Sequence, residues 1–474
     1  MPGRSFEVDY LVIGAGATGL AFTDALISES DATVLMVDRR YSPGGHWNDA
    51  YPFVRLHQPS AFYGVNSRKL GQDRIDDRGP NAGFYERATS AEICHYFHAF
   101  LHEQLLPSGQ VEFVSMTDCV EHGSGRARMV SRVTGTERDV TVRRKIVDAR
   151  FLESSIPATH TPSYVVDDGV HLIPVNDLVR SDHPAGGYVV IGAGKTGMDA
   201  CSWLLDNGVD PAEITWIKPR DAWVIDRALL QPLEKVGDFI KGWAGATEAA
   251  AAATSIPDLF GRLEDGGELK RLDPSVEPTM YRSAILNDHE LAQLRSIEHV
   301  VRAGRVRRIQ TQQIVLEESE LPSSDDRLYV DCTAEGLPTP TPRSIFEPDR
   351  ITIQSMREGS PPFNAALIGY LEATRGEVSE QNALAPTNAY PRTATDWIRT
   401  RHVGMIAQRI WNQTPDVNAW TDQSRLNVAA GLADHGSEPG VSEAIGSYFE
   451  HTDRAIENLG TFRAQLGDDI TSTV

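Results

Sequence analysis

Cysteine is scarce in this 474-residue chain: there are four, Cys94, Cys119, Cys201 and Cys332, and no two are close in sequence. The lack of any CxxC or CxxxxC pair removes the usual zinc frameworks and redox disulfides, and it fits a reducing, cytoplasmic setting. Long apolar runs are missing as well. No stretch reaches the roughly 18 apolar residues of a membrane span, so no membrane partner is expected. An excess of positive charge is also absent: 45 Lys and Arg stand against 66 Asp and Glu, a formal net charge of -21. That balance argues against nucleic acid and anionic membrane surfaces as partners. The first apolar strand begins by about Asp9, which leaves no room for a signal peptide before it. The hydrophobic share of 41% and charged share of 23% are ordinary for a globular protein. The length allows two or three domains with their own cores.

Glycine is patterned. Gly14-Ala-Gly16-Ala-Thr-Gly19 directly follows the apolar run Tyr10 to Ile13, and Gly192-Ala-Gly194-Lys195-Thr196-Gly197 directly follows Tyr188 to Ile191. Each stands between a short strand and a stretch that reads as a helix, the setting of a dinucleotide fingerprint. The first Gly allows the tight turn, the second lets a pyrophosphate approach the backbone, and the third lets helix and strand pack closely. The helix N-terminus offers N–H groups and a positive dipole end to phosphate. Asp38 ends the second strand, 24 residues after Gly14, where a carboxylate accepts hydrogen bonds from ribose hydroxyls. The same offset from Gly192 falls on Trp216, and Lys218 and Arg220 follow. Cations without an acid suit a 2′-phosphate, so the second nucleotide reads as NADP(H). A P-loop is excluded, because position 189 is Val where that motif needs Gly.

Along the chain, residues 9–38 read as strand, turn, helix and strand, and residues 39–90 as a long functional loop region. Ser90 to Leu105 reads as a helix with Ser90 as N-cap and Glu92 in its first turn. Val111 to Val114, Ala127 to Val133 and Asp139 to Val147 read as a small antiparallel layer. A second βαβ unit starts near Gly187. Residues 228–300 read as a helical insert, Arg302 to Val315 and Arg327 to Cys332 as strands, and the tail from about Asp396 as mostly helical. The expected fold is α/β, with two Rossmann-like dinucleotide-binding domains, a small antiparallel β layer, the helical insert and a helical C-terminal tail. The expected division is 1–160 for the first domain, 161–325 for the second with the insert at 228–300, and 326–474 for a return to the first domain plus the tail. His95, His98 and His102 share a helix face, but with no acid near them no metal site is assigned.

The two fingerprints together with Pro43-Gly44-Gly45-His46-Trp47 resemble the class B flavoprotein monooxygenases, which include flavin-containing, Baeyer–Villiger and N-hydroxylating monooxygenases. The resemblance covers roughly residues 8–220. It implies that the Gly45–Trp47 loop lies along a flavin. In Leu56-His57-Gln58-Pro59-Ser60 it implies that the Gln58 amide, with His57 second, reaches the flavin's reactive edge. Ile146-Val-Asp148-Ala149-Arg150 and Tyr329-Val-Asp331-Cys-Thr333-Ala334-Glu-Gly336 are similar to the strand ends where that family's chain crosses between domains, and Gly336 is expected near the flavin. One family motif, FxGxxxH between the fingerprints, is absent, since its frame here is Val170-His-Leu172-Ile-Pro-Val-Asn176. The chain therefore reads as a divergent branch.

The resemblance implies an FAD- and NADPH-dependent monooxygenase. It would insert one atom of O2 into a small organic substrate through a flavin C4a-(hydro)peroxide. Two alternatives stay open: a flavin reductase or dehydrogenase without oxygen insertion, and a non-catalytic flavoprotein that senses NADPH. A disulfide reductase is excluded in its usual forms by the cysteine spacing. Assembly into a homo-oligomer is left open.

Overall fold

Apolar residues that alternate with nothing make buried parallel strands, and the first nucleotide unit is built on such a run. The structure, a computed structural model, describes residues 5–123 and 125–467. Strand β1 (Phe6–Ile13) leads into helix α1 (Ala17–Ser28) and strand β2 (Val34–Val37), which lies parallel to β1 with Tyr10 opposite Val34. Helix α2 (Ser90–Phe100) follows the long loop region. Its cap is Thr89 rather than Ser90. The Thr89 hydroxyl accepts from the Glu92 N–H, and the Glu92 carboxylate accepts from the Thr89 N–H, a reciprocal box that places Ser90 inside the first turn. The chain then widens into a π turn at Leu101–Leu105. His95, His98 and His102 all lie exposed.

Strand β3 (Val111–Val114) pairs parallel with β2 and so belongs to the main sheet, not to the antiparallel layer expected from its pattern. The layer instead uses β4 (Thr117–Gly123), β5 (Arg126–Ser131) and the first half of β6 (Glu137–Asp148). The second half of β6 pairs parallel with β1, and Arg350–Thr352 adds parallel to its other side. One long strand thus joins the layer and the nucleotide unit in a seven-stranded sheet.

The second unit repeats the first. Tyr188–Ile191, helix α3 (Lys195–Asp206) and Ile214–Ile217 form its core, inside a five-stranded parallel sheet that also holds His171–Pro174, His299–Val301 and Leu328–Asp331. The chain therefore leaves this sheet only after Asp331 and rejoins the first at Arg350, later than the 325/326 division expected from sequence. The insert holds helices α4 (Val236–Ala252), α5 (Ile256–Asp265) and α6 (Asp288–Arg295). It is not wholly helical, because Met280–Leu286 pairs parallel with Ala222–Asp226, and Leu269–Lys270 pairs antiparallel with the same strand. Helix α7 (Pro361–Thr374) packs on α1. The tail is helical as expected, and its helix Val441–Gln465 lies along α4. A shared core of Trp223, Phe260, Trp397 and Phe462 ties the tail to the insert. Residues 1–4 and 468–474, the ends of the expected division, lie outside the described residues. Among the described residues, no helix is long and apolar enough to cross a membrane.

Candidate functional site

Both fingerprints open onto one cavity of about 1070 Å³. That is at the top of the range for single small-ligand sites, so it has room for more than one ligand. Gly14 and Gly192 turn the chain at φ 109° and 141°. Gly19 and Gly197 lie against these turns rather than in the cavity. A Cβ on Gly19 would stand 2.0 Å from the Gly14 carbonyl oxygen, and one on Gly197 would stand 2.3 Å from that of Gly192. Gly16, Gly194, Lys195 and Thr196 line the cavity at the two helix starts. A Cβ on Gly194 would meet no atom within 4 Å, so the second helix start presents an open cradle of the kind a pyrophosphate needs.

The position 24 residues after each turn braces its glycine loop, with opposite polarity. Asp38, 6% exposed at the cavity wall, accepts from the Ala15 N–H at 2.7 Å and the Arg40 N–H at 2.7 Å. Each of its oxygens keeps a lone pair for a ribose hydroxyl. Trp216 is fully buried, and its indole N–H donates to the Gly192 carbonyl at 2.8 Å. Sequence reasoning used Trp216 only as a missing acid and passed over this brace. It also passed over Arg39 and Arg40, which line the cavity beside Asp38 and pair with Glu153 and Asp49.

Lys218 requires a correction. It is 2% exposed, ion-paired with Asp221, and its ammonium lies 4.8 Å from the centre of the Trp216 ring. Asp221 also receives Arg302 at 2.7 Å. The lysine is thus consumed inside the domain and does not line the cavity. Arg220 does line it, exposed, together with Arg305, Arg282 and Arg392. Partial burial and then these three like charges lower the Arg220 pKa. A crowd of guanidinium groups of this kind favours a bound anion.

The loop between the fingerprints lies against both. The Gly44 N–H donates to the Ala15 carbonyl at 2.8 Å, and Gly45 rests on Gly16 so closely that a Cβ on it would stand 3.0 Å from the Gly16 Cα. Trp47 reaches the cavity, with its indole N–H donated to the Tyr63 hydroxyl at 2.7 Å. Tyr51 donates to Asp199 at 2.7 Å, and Asp199 also holds Lys195, so this loop is tied to α3. Gln58 lines the cavity, and its amide has no hydrogen-bond partner among the described residues. Burial, then the cations Lys195, Arg87 and Arg227, push the His57 imidazole down to about 3, so it is neutral at pH 7. Gly336, at φ 73°, lines the cavity and exchanges hydrogen bonds with Ser155 at 3.1 and 2.9 Å, joining the two crossings between sheets.

Behind His57 lies a buried ionic cluster. Glu290 binds Arg227 at 2.6 Å and Arg87 at 3.3 Å, and the Arg227 Nε reaches the His57 carbonyl at 3.4 Å. Burial works to raise the Glu290 carboxyl, but Lys195, Arg227 and Arg87 outweigh it and hold it at about 2. Because the folded value lies below the unfolded 4.5, the contribution is full above about pH 5 and is lost as pH falls toward 2. It amounts to on the order of 3 kcal/mol. Urea unfolding at a series of pH values checks this. Glu290→Gln should lose about that stability at pH 7 and show a flatter acid limb. A wild-type-like acid limb in the variant would contradict the cluster's role.

No family model matches the chain. The fold is that of the flavin monooxygenases with two dinucleotide-binding domains. The open crystal structure of cyclohexanone monooxygenase superposes with a TM-score of 0.50 and 12% identity, over 96% of this chain and 99% of that one. In sequence, an uncharacterized protein of Mycobacterium tuberculosis (strain ATCC 25618 / H37Rv) is 45% identical over 474 residues, which is 100% of this chain and 87% of its own length. An uncharacterized protein of Mycobacterium bovis (strain ATCC BAA-935 / AF2122/97) matches equally, at 45% over 474 residues. The chain belongs to the family of these mycobacterial proteins.

Proposed function

We propose that the chain is an FAD-dependent monooxygenase that consumes NADPH and inserts one oxygen atom from O2 into a small organic substrate. The observation that carries the reading is that two intact fingerprints face one cavity with the Gly45–Trp47 and His57–Gln58 loop between them. A bound flavin supplies hydride acceptance from NADPH and reaction with O2.

The chain's own part is to bind, orient and exclude water. Gly16 and the start of α1 take the FAD pyrophosphate, and Asp38 takes the adenosine ribose. Gly194, Lys195 and Thr196 take the NADPH pyrophosphate. Arg220, with Arg305 beside it, replaces the Lys218–Arg220 pair as the 2′-phosphate site. Trp47 and Gly336 bound the flavin space, and the free Gln58 amide donates toward its reactive edge. His57 stays neutral at pH 7, so it offers one ring N–H and one ring acceptor but is not a general acid. The proposed domains are the FAD domain to about 160, the NADPH domain extended through Asp331, and a return to the FAD sheet from Arg350.

Anaerobic reduction of the FAD-loaded protein with NADPH, followed by mixing with O2, tests the reading. With no substrate present the electrons end in H2O2 either way, so the rate decides: slow return of oxidised flavin, with H2O2 released only in step with it, supports oxygen insertion. Immediate reoxidation with one H2O2 per NADPH favours the reductase instead.

A further inference from the structure

One end of the cavity is built by the insert and the tail. It is lined by aromatic residues from three elements: Phe239 and Trp243 on α4, Tyr281 on the strand Met280–Leu286, and Trp397 on the helix Asp396–Asn412. Glu268, just past α5, faces this end and also a small adjoining cavity of about 170 Å³. Its carboxylate has no hydrogen-bond or ion-pair partner among the described residues.

The charges around Glu268 are otherwise engaged. Arg401 donates to the Trp243 carbonyl at 2.9 Å and the Thr247 hydroxyl at 3.2 Å, and it lies over the Trp243 ring. Glu358 accepts from the Ser283 hydroxyl and faces Tyr281. Asp226 is paired with Lys270 at 2.6 Å. Across the small cavity, Arg262 is paired with Asp258 at 3.1 Å, and Lys241 is exposed to solvent. Among these charges Glu268 has no hydrogen-bond or ion-pair partner: Arg401 acts on it only through space, and Glu358 is held by hydroxyls alone. A half-buried carboxylate without a partner carries a desolvation cost, and a ligand cation relieves it. Aromatic faces beside it attract the same cation and cover an apolar body.

We propose that this chamber binds a molecule with an ammonium group on an apolar body, with Glu268 as the anchor that selects it and with oxygen delivered to a different atom of that molecule. The last clause follows from chemistry, since a protonated amine has no lone pair to accept oxygen, and it alone rests on the monooxygenase reading. Burial, aided by Glu358 and Asp226 and opposed by Arg401, pushes the Glu268 carboxyl up to about 7. Cation binding needs the ionised form, so affinity should rise with pH through that value.

Titration calorimetry on the FAD-loaded protein tests the anchor with 2-phenylethylamine and its neutral counterpart 2-phenylethanol. The amine should bind at least roughly tenfold more tightly at about pH 8, and its affinity should fall toward about pH 6. Glu268→Gln should weaken the amine roughly 10–100-fold, change the alcohol less than about twofold, and abolish the pH dependence. Glu268→Asp should restore part of the amine affinity. Equal binding of the two probes, binding of neither, or equal weakening of both in Glu268→Gln would overturn the proposal. So would a Glu268→Gln effect confined to the pH profile of turnover, which would mark a proton carrier instead. Because the readout is binding, failure to insert oxygen would sink the functional reading while leaving this result standing.

Discussion

Gly19→Ala is expected to cost roughly 4 kcal/mol or more and to leave the protein without flavin, whereas Gly194→Ala keeps its stability and loses NADPH. The two glycines occupy different positions of the same motif, and the structure separates their jobs. A Cβ on Gly19 meets the backbone carbonyl of Gly14 at 2.0 Å, with the Ala149 side chain also at 3.3 Å. Neither can swing aside as the end of a long side chain would, so α1 must move off β1 and take the pyrophosphate cradle with it. Gly194 has an ordinary φ of -81° and nothing within 4 Å of its would-be Cβ. Alanine at that helix cap should cost less than about 1 kcal/mol. The methyl would, however, fill the space the pyrophosphate crosses, and NADPH affinity should fall at least roughly tenfold. Thermal unfolding with flavin content reads the first variant, and NADPH titration reads the second. If Gly194→Ala binds NADPH as the wild type does, the dinucleotide does not cross the second fingerprint.

The legible parts of this chain are those where local geometry forces the residue choice. Turn, cradle and close helix contact each need glycine, so both βαβ units were visible from Gly14 and Gly192 onward. The parts that were not legible depend on partners distant in sequence. Val111–Val114 has the composition of any short strand, and only its pairing with β2 puts it in the parallel sheet. Met280–Leu286 sits between helices, and its strand character comes from lying beside Ala222–Asp226. At the site, Asp38 and Arg220 were identified by offset from the fingerprints. The Trp216 brace was missed because an indole N–H can substitute for a carboxylate only by reversing which group donates. Glu268 carried no motif at all. Its lack of a hydrogen-bond or ion-pair partner exists only once α4, the strand Met280–Leu286 and the helix Asp396–Asn412 surround it.

Lys218 shows how a correct local pattern can carry a wrong role, and its neighbourhood yields the other large effect. Asp221→Ala should cost about 3–5 kcal/mol. The carboxylate side chain is 1% exposed and binds both Lys218 and Arg302, the latter at 2.7 Å. Without it, an ammonium that is 2% exposed keeps the Trp216 ring and the more distant charge of Asp273, with no ion pair. Arg302 fares better, because Asp273 still holds it at 2.9 Å. Replacing the lysine itself is a different perturbation. Lys218→Met keeps the volume and removes the charge that needs compensation, so stability should change by less than about 2 kcal/mol. Its preference for NADPH over NADH should be unchanged, since the side chain never reaches the cavity. Arg220→Gln should instead lower that preference by about tenfold or more while leaving stability intact, because an exposed guanidinium is lost from the anion site and nothing buried is left unpaired. Urea unfolding and the ratio of kcat/KM for the two nucleotides separate these outcomes. Loss of the preference in Lys218→Met would mean that the 2′-phosphate draws Lys218 away from Asp221, and the burial of that pair would no longer describe the nucleotide-bound protein.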